Sequence, residues 1–203
     1  DGFAVRVRQS FGNCPKYIQA RQTEFLGNAG AGGKNLQRSG QLGDAAARLI
    51  QGADTFFIAT SYPAVDRNNQ GQHGVDVSHR GGKPGFVRVD GDAMLTAPDF
   101  TGNFFFNTLG NISIHPRAGL LFINFITGDL LYLAVDAEII WEGSAVESFA
   151  GAERLLRFRV REVLLVEAAL PLRWGEASLS PFLEDTGSWS NGIAEPTGTD
   201  SSG

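Results

Sequence analysis

Groups able to bind an anion concentrate in one stretch of the sequence, residues 74–125. Ser78, His79 and Arg80 precede two glycines there, so a hydroxyl, an imidazole and a guanidinium stand beside a permissive backbone. A turn of this kind can present side-chain and backbone donors to an anion, and arginine suits bidentate contact with phosphate. At Gly85 a flat ring could approach the backbone closely. The stretch therefore indicates a site for a phosphate-bearing ligand.

A second polar group follows in the same stretch and consists of amides and a hydroxyl: Asn103, Asn107, Thr108 and Asn111. A short helix is predicted within residues 111–116, ended by Pro116. Amides and hydroxyls near a helix N-terminus could bind a sugar chain or a phosphate. The same residue types are also ordinary turn formers, so the residues alone leave both interpretations open.

Other kinds of site have less support in the sequence. There is no CxxC pair, HExxH, Walker loop or GxGxxG, and the three histidines fall on separate predicted turns, so we expect no metal site. A nucleophile and its base are not usually neighbours in sequence, so the adjacent Ser78 and His79 do not predict a hydrolase. Cys14 could be a thiol activated by Lys16 or a small residue packed in a turn. His79 is the nearest candidate for an acid or base, and no catalytic residue is assigned.

Composition limits the partners and the compartment. The net charge of −5 arises entirely from the five acidic residues of 175–203, so residues 1–174 are neutral and nucleic acid is not an expected partner. One cysteine allows no internal disulfide, which favours the cytoplasm. No apolar run approaches the ~18 residues of a membrane span, so no membrane partner is expected.

The 26 glycines and 15 phenylalanines favour short strands joined by tight turns. A strand is predicted over residues 3–9 by its alternation. Further along the chain, alternating or compact apolar runs predict about seven closely spaced strands, typical of an antiparallel barrel or sandwich, within residues 55–61, 74–79, 86–91, 93–97, 119–125, 129–141 and 154–169. A turn is predicted over 79–85 and a hairpin at Asp90-Gly91. Helices are predicted over 44–53, with Asp44 as N-cap, and over 145–151. Exposed loops are predicted over 27–43 and 62–72.

Three motifs carry a resemblance to a known family: FGNCPKYIQ at 11–19, DVSHRGGKPGF at 76–86 and NTLGN at 107–111. Together with the order of elements from 54 to 143, they resemble the FMN-binding split barrel of the pyridoxamine 5′-phosphate oxidase superfamily. The likeness covers roughly residues 9–174 and is greatest to a subgroup of flavin-nucleotide-binding proteins, some of which are fused to a ferredoxin-reductase-like module.

The resemblance implies a mainly β fold, a six- to seven-stranded antiparallel split β-barrel with short flanking helices, over residues 44–174. Residues 1–43 would form an N-terminal strand and connecting segment that ends a preceding domain. Residues 175–203 would be an acidic flexible tail or linker. We therefore expect the chain to be a fragment of a longer protein.

The resemblance also implies a homodimer with FMN at the subunit interface. The strand contact to the isoalloxazine would fall, largely through backbone, on Phe86, Val87 and Arg88, although Arg88 also fits a solvated strand arginine. Phosphate and ribityl contacts would fall on Asn103, Asn107, Thr108 and Asn111. Further candidates for contact with the cofactor are Ser78, Arg80, Lys16 and Tyr17.

The predicted function is that of an FMN-dependent oxidoreductase, whose flavin takes a hydride from NADH, NADPH or a small organic donor and passes electrons onward, with or without a fused electron-transfer module. The alternatives are a non-catalytic flavin-binding or sensory module and a dimerisation domain without cofactor. Pyridoxamine 5′-phosphate oxidase itself has basic residues where this chain has the neutral FNTLGN. The Arg- and His-bearing substrate motif of that enzyme has no counterpart here after residue 174. Pyridoxamine-phosphate oxidation is therefore not expected. Another flavin, a deazaflavin or haem remains open as the ligand.

Overall fold

An antiparallel sheet of eight strands carries the fold in the computed structural model, which describes residues 2–7, 12, 14–27, 35–62 and 74–189. The strands of this sheet are β2 (Leu36–Ser39), β3 (Thr55–Tyr62), β4 (Gly74–Gly81), β5 (Arg88–Asp90), β6 (Met94–Phe100), β7 (Arg117–Ile123), β8 (Leu130–Ile140) and β9 (Ala152–Val166). A separate two-stranded sheet pairs β1 (Thr23–Phe25) with β10 (Leu172–Trp174). The helices are α1 (Asp44–Gly52), α2 (Asn107–Ile114), α3 (Ser144–Glu147) and a 3₁₀ helix, Pro181–Leu183.

The order of strands in the main sheet is β4-β3-β7-β8-β9-β6-β5, and β2 also pairs with β9. The long strand β9 connects the two halves because β8 pairs with it over residues 155–166, while β6 and β2 pair with its residues 152–159 and 163–166. Register shifts at Asp99/Phe100 and Ala134/Val135 interrupt the ladders, as bulges do where strands bend. The predicted mainly β, antiparallel split-barrel class with short helices is confirmed.

The core lies on the inner face of this sheet, where alternate strand residues meet. Phe56 is central: its ring centroid lies 5.8 Å from Phe86, 5.3 Å from Phe122 and 6.3 Å from Phe158. All four side chains are almost fully buried, and offset or edge-on aromatic pairs of this kind add to the hydrophobic stabilisation. This core fixes the strands that approach the polar residues singled out above.

The predicted helices exist with altered ends. Gly43, not Asp44, is the N-cap of α1, and Asp44 lies in the first turn, where its carboxylate favours the helix dipole. α2 begins at Asn107 rather than Asn111, so the NTLGN motif is helical rather than a turn. α3 covers Ser144–Glu147, whereas the sequence predicts a longer helix over 145–151. None of the helices in the described part of the chain is long and apolar enough to cross a membrane.

Several predictions for the strands and loops are wrong. Residues 3–7 are exposed and have no regular structure because no strand pairs with them, and residues 8–9 lie outside the described residues. The predicted loop 27–43 contains β2, whose pairing with β9 overrides its polar composition. The turn predicted over 79–85 begins later, since β4 continues to Gly81. Residues 63–72 of the second predicted loop lie outside the described residues.

Residues 175–189 pack on the barrel, although the sequence predicts a mobile linker there. Leu183 is 2% exposed. The Lys83 ammonium donates to the Thr186 carbonyl at 2.7 Å, and the Trp189 indole N–H donates to the Phe86 carbonyl at 3.0 Å. Backbone bonds hold the segment as well, since Ser178 pairs with Ala20 and the Gly187 N–H donates to the Ala150 carbonyl at 3.0 Å. Residues 190–203 lie outside the described residues, and the division of the chain at 43 and 174 remains a prediction.

Candidate functional site

A polar cleft opens where the ends of β4 and β6 meet the start of α2. The loop 101–106, which joins β6 to α2, forms one wall, and Arg154 at the start of β9 borders it. Side chains that could bind a ligand line the cleft: Cys14, Tyr17, Ser78, His79, Arg80, Asp99, Asn103, Asn107, Thr108 and Arg154. The first turn of α2 therefore faces the same space as two guanidinium groups.

Two arginines share one buried carboxylate at what we call the guanidinium end of the cleft. Arg80 is hydrogen-bonded to Asp99 Oδ1, and Arg154 Nη1 lies 3.4 Å from Asp99 Oδ2. Glu153 Oε2 lies 3.7 Å from Arg154 Nη2, so two carboxylates balance the two guanidinium charges. Asp99 is 5% exposed, and the buried Nε of Arg80 is a charged donor with no hydrogen-bond partner among the described residues.

A cluster of acceptors and hydroxyls lies under the start of α2. Thr108 Oγ1 donates to Asp76 Oδ2 at 2.5 Å, and Ser78 Oγ donates to the same oxygen at 2.9 Å. Asp76 is 2% exposed, and its Oδ1 has no partner in the described part of the chain. Asn111 Nδ2 donates to Thr60 Oγ1 at 3.1 Å. These bonds fasten α2 to β3 and β4 and fix the direction of its N-terminus.

Three consecutive aromatic rings border the cleft. Phe104, Phe105 and Phe106 are 67%, 64% and 46% exposed. Phe104 and Phe106 have φ of +60° and +53°, a left-handed conformation that costs bulky residues about 1–3 kcal/mol each and is concentrated at functional sites. Asn103 supports the loop because its Oδ1 accepts from the Phe105 N–H at 3.3 Å. The Arg154 guanidinium lies 5.2 Å from the centre of the Phe106 ring.

Tyr17 and His79 are the titratable cleft residues whose pKa values are displaced. Burial, followed by the negative groups nearby, raises the pKa of Tyr17, whose hydroxyl donates to the Thr101 carbonyl at 3.2 Å. Burial lowers the pKa of His79, Arg80 lowers it further, and Asp54 opposes both. At neutral pH Tyr17 therefore keeps its proton and His79 is uncharged. Gly81 permits this arrangement, since a Cβ there would lie 1.9 Å from the Tyr17 carbonyl oxygen.

The structure brings together one part of the predicted site: Tyr17, Ser78, Arg80, Asn103, Asn107 and Thr108 all line the cleft. Asn111 lies on the side of α2 that faces Thr60 and does not line the cleft. Lys16 also lies apart, with its ammonium 5.6 Å from the centre of the Phe182 ring.

The three consecutive residues predicted to contact the isoalloxazine, Phe86 to Arg88, do not line the cleft. Phe86 and Val87 are 0% and 2% exposed and belong to the core. Arg88 Nε donates to Asp90 Oδ1 at 2.6 Å, and its guanidinium lies 4.2 Å from the centre of the Trp189 ring. A flat ligand contacting the Phe86 carbonyl would have to displace Trp189. The isoalloxazine contact predicted for these residues therefore needs a rearrangement that the described structure does not contain.

Three site residues escape the sequence analysis: Asp76, Asp99 and Arg154. Asp76 is part of the DVSHRGG motif, but only its burial beneath α2 distinguishes it from an ordinary strand aspartate. Asp99 and Arg154 are cross-strand partners in the β6–β9 register. The alternation of arginine with apolar residues in β9 hints at Arg154, although its partner follows only from the register. Among the described residues, no group of three or more histidines, cysteines or carboxylates could hold a metal ion.

Comparison with known proteins gives similarities at the level of the fold. No protein-family model matches the sequence. No curated protein matches it either. Solved structures similar to this chain include HupZ of Group A Streptococcus, with 16% identity over 59% of this chain and 89% of that one and a TM-score of 0.41. A protein of Lactobacillus delbrueckii, assigned provisionally as a pyridoxamine 5′-phosphate oxidase, has 13% identity over 62% and 94% and a TM-score of 0.44.

Other similar structures provisionally described as pyridoxamine 5′-phosphate oxidases come from Corynebacterium glutamicum and Listeria innocua, with 13% and 11% identity over 70% and 64% of this chain and 98% and 95% of those, and TM-scores of 0.42 and 0.37. A further similar structure, a Mesorhizobium loti protein described as FAD-binding, has 12% identity over 65% of this chain and 97% of that one, with a TM-score of 0.40. At such identities and TM-scores the similarity leaves the ligand and the reaction undetermined, and both have to be inferred from the cleft.

Proposed function

We propose that this chain binds FMN in the cleft, acts as a homodimer and is an FMN-dependent oxidoreductase. The observation that carries the proposal is the set of chemistries that the cleft brings together. Two guanidinium groups, one with an Nε–H that has no partner among the described residues, line it together with amides, hydroxyls and exposed aromatic rings. FMN has a matching set of groups, since its phosphate is joined through a polyhydroxyl chain to a flat aromatic ring system.

The guanidinium end fits the phosphate. Arg80 Nε is a buried charged donor without a partner among the described residues, and such an atom is costly unless a ligand or water satisfies it. Arg154 contributes a second guanidinium to the cleft, although Asp99 and Glu153 both contact it. Arginine pairs well with phosphate oxygens, and Asn103 and Asn107 supply neutral donors nearby. Arg80 would therefore hold the phosphate, and the amides would orient the chain that leads from it.

The protein contributes binding and orientation to the proposed reaction. When bound, a flavin supplies the hydride- and electron-accepting chemistry. Phe104–Phe106 would shield one side of the ring system from water. Tyr17 holds its phenolic proton because its pKa is raised, and His79 stays neutral because its pKa is lowered. We propose NADH, NADPH or a small organic molecule as electron donor, a fused or separate electron-transfer module as acceptor, and the cytoplasm as location.

An apolar face on the outside of the sheet supports the homodimer. Outward residues of β3, β4, β7, β8 and β9 form a shallow hollow that includes Phe57, Ala59, Val77, Leu121, Tyr132 and Leu164. Val75 and Val77 on the edge strand β4 are 70% and 55% exposed. Large apolar patches are typical of protein interfaces, and a second copy of this chain would cover the patch and the unpaired edge of β4. The same strand carries Ser78 and Arg80, so this interface would lie next to the cleft.

The cofactor is tested first by the mass and absorption spectrum of whatever ligand the denatured protein releases, where FMN is the expected result. The double variant Asn107→Ala, Thr108→Ala should lose FMN while it stays folded, as judged by circular dichroism. Asn124→Ala, Thr127→Ala is the matched control, because it removes the same side chains from the turn between β7 and β8. Unchanged FMN occupancy in the cleft variant would contradict the assignment.

The phosphate position is tested by comparing FMN with riboflavin, which lacks the phosphate. Arg80→Gln should weaken FMN about 10- to 100-fold, the range typical of a charged hydrogen bond. Riboflavin should bind almost as well as it does to the unaltered chain. Equal losses for both ligands would place the phosphate elsewhere.

The reaction is tested by anaerobic titration of the flavin-loaded protein with NADH and NADPH. Bleaching of the flavin bands at a catalytically useful rate is expected of an oxidoreductase. A flavin that stays oxidised with these and with small organic donors would instead assign the chain as a non-catalytic flavin-binding module.

The homodimer is tested by light scattering on Val77→Glu, which places a charge in the apolar face. The expected result is a monomer with weakened FMN binding. Ile126→Glu is the control, since Ile126 is 95% exposed in the turn after β7. A dimer that tolerates both substitutions would place the interface elsewhere.

A further inference from the structure

The hydroxyls of Ser78 and Thr108 both point toward the same carboxylate oxygen, Asp76 Oδ2, at 2.9 and 2.5 Å. A carboxylate only accepts hydrogen bonds, and each hydroxyl has a single hydrogen. Thr108 Oγ1 also lies within hydrogen-bond distance of Ser78 Oγ, at 3.2 Å, but its hydrogen goes to the nearer carboxylate, so both hydrogens are used on Asp76. The two hydroxyl oxygens, whose residues line the cleft, retain lone pairs for a ligand. We infer that Ser78 and Thr108 act as hydrogen-bond acceptors toward the ligand, and so contact an uncharged donor group of the flavin rather than its phosphate.

The charges around the cluster support this polarity. Asp76 is 2% exposed and places a full negative charge beside the first turn of α2, which offsets the positive end of the helix dipole. A phosphate there would face a carboxylate of the same sign. Asp76 Oδ1 is a further acceptor without a donor among the described residues. The cluster of Asp76, Ser78 and Thr108 therefore has acceptors and no spare hydroxyl hydrogen, whereas Arg80 Nε is a donor without a partner among the described residues.

The flavin has two kinds of uncharged donor that fit: the imide N–H of its ring system and the hydroxyls of its ribityl chain. Both satisfy an acceptor pair without bringing negative charge to Asp76. Asp76 is a positioning residue in this scheme, because it acts on the ligand through the direction of the Ser78 and Thr108 hydroxyls.

The inference rests on the proposed function and is tested by titrating flavin-free protein with FMN and riboflavin. Ser78→Ala and Thr108→Val should each weaken both ligands about three- to tenfold, the effect of one neutral hydrogen bond. The ratio of FMN to riboflavin affinity should stay within about twofold of the unaltered chain, whereas Arg80→Gln should lower that ratio. Lumiflavin, which lacks the ribityl chain, separates the two donors: weakened lumiflavin identifies the imide, and unchanged lumiflavin identifies the ribityl hydroxyls.

Thr96→Val is the matched control for Thr108→Val. Thr96 is also a buried threonine whose hydroxyl donates to an aspartate, Asp90 at 2.8 Å, but it does not line the cleft. Thr96→Val should leave the affinities for FMN and riboflavin unchanged. Thr108→Ser, which keeps a hydroxyl, should retain most of the affinity that Thr108→Val loses. Ser78→Ala keeps the test valid if Thr108→Val fails to fold.

The outcomes separate this inference from the proposed function. A selective loss of FMN in Ser78→Ala or Thr108→Val, with riboflavin unaffected, overturns the inference and leaves flavin binding intact. Full affinity for both ligands in both variants overturns it as well. An unaltered chain that binds neither FMN nor riboflavin overturns the proposed function together with the inference.

Discussion

The cleft and the segment 83–88, which leads from β4 into β5, contain similar chemistry but differ in how their polar groups are satisfied. In the segment 83–88, the Phe86 N–H donates to the Lys83 carbonyl, the Phe86 carbonyl accepts from Trp189, and Arg88 pairs with Asp90. In the cleft, Arg80 Nε and Asp76 Oδ1 have no partner among the described residues. Both regions combine an arginine, aromatic rings and glycine, so composition does not distinguish them.

The comparison locates unfilled hydrogen-bonding capacity in the cleft and not in the segment 83–88. Buried polar groups are nearly always paired, and unpaired ones call for a ligand or water. Thr55 Oγ1 and His115 Nδ1, outside both regions, also lack a partner among the described residues, so an unpaired atom indicates a binding site only together with the other polar groups of the cleft. The segment 175–189 makes the difference between the two regions, because it completes the bonds of the segment 83–88 and leaves the cleft open. The following predictions test whether the segment 83–88 is structural and the cleft functional.

The largest expected effect is on Phe86, which is fully buried against Phe56. Phe86→Ala should lower the free energy of unfolding by about 3–5 kcal/mol, because it leaves a cavity in the core. Phe105→Ala, at a residue that is 64% exposed beside the cleft, should change it by less than about 0.5 kcal/mol. Urea denaturation measures both. Similar losses in the two variants would contradict the contrast between the regions.

An intermediate effect is expected at Trp189, whose ring centroid lies 4.8 Å from that of Phe149 and whose indole N–H bonds to Phe86. Trp189→Ala should cost about 2 kcal/mol through lost packing and one hydrogen bond, and Trp189→Phe should cost about 1 kcal/mol. FMN affinity should stay unchanged in both. Tighter FMN binding to Trp189→Ala would show instead that the segment 83–88 contacts the flavin and that the Trp189 side chain covers it.

The smallest expected effect is the pH dependence contributed by His79. Its pKa is lowered in the folded state, so the unfolded chain binds a proton more readily as the pH falls below about 6.5. The stability contributed by neutral His79 is present above that pH and declines as the pH falls toward the lower folded-state pKa. His79→Gln should therefore flatten the stability profile between pH 7 and 5 relative to the unaltered chain. Parallel thermal-midpoint curves for the two proteins would rule out this contribution.

The sequence predicted most strands because their alternation or apolar run is long enough to be specific. β3, β8 and β9 follow their predicted ranges closely. It failed where pairing outweighs composition. Polar residues form β2 because β9 offers a partner, and residues 3–7 alternate correctly but remain without one. The packing of residues 175–189 does not follow from their acidic composition, because backbone bonds to Ala20 and Ala150 hold this segment together with the buried Leu183.

For the candidate site, local sequence identified the residues of the SHRGG and NTLGN motifs, and the tertiary structure decided which of them share a cleft. Arg80 and Arg154 meet only because the β6–β9 register sets Asp99 beside Arg154. Asp76 acquires its role only because α2 covers it. Periodicity and residue type act over a few neighbours, so the sequence alone determined the β class and the chemical groups available. Strand register and burial join residues far apart in the chain, so only the fold decided which groups are satisfied and which remain open to a ligand.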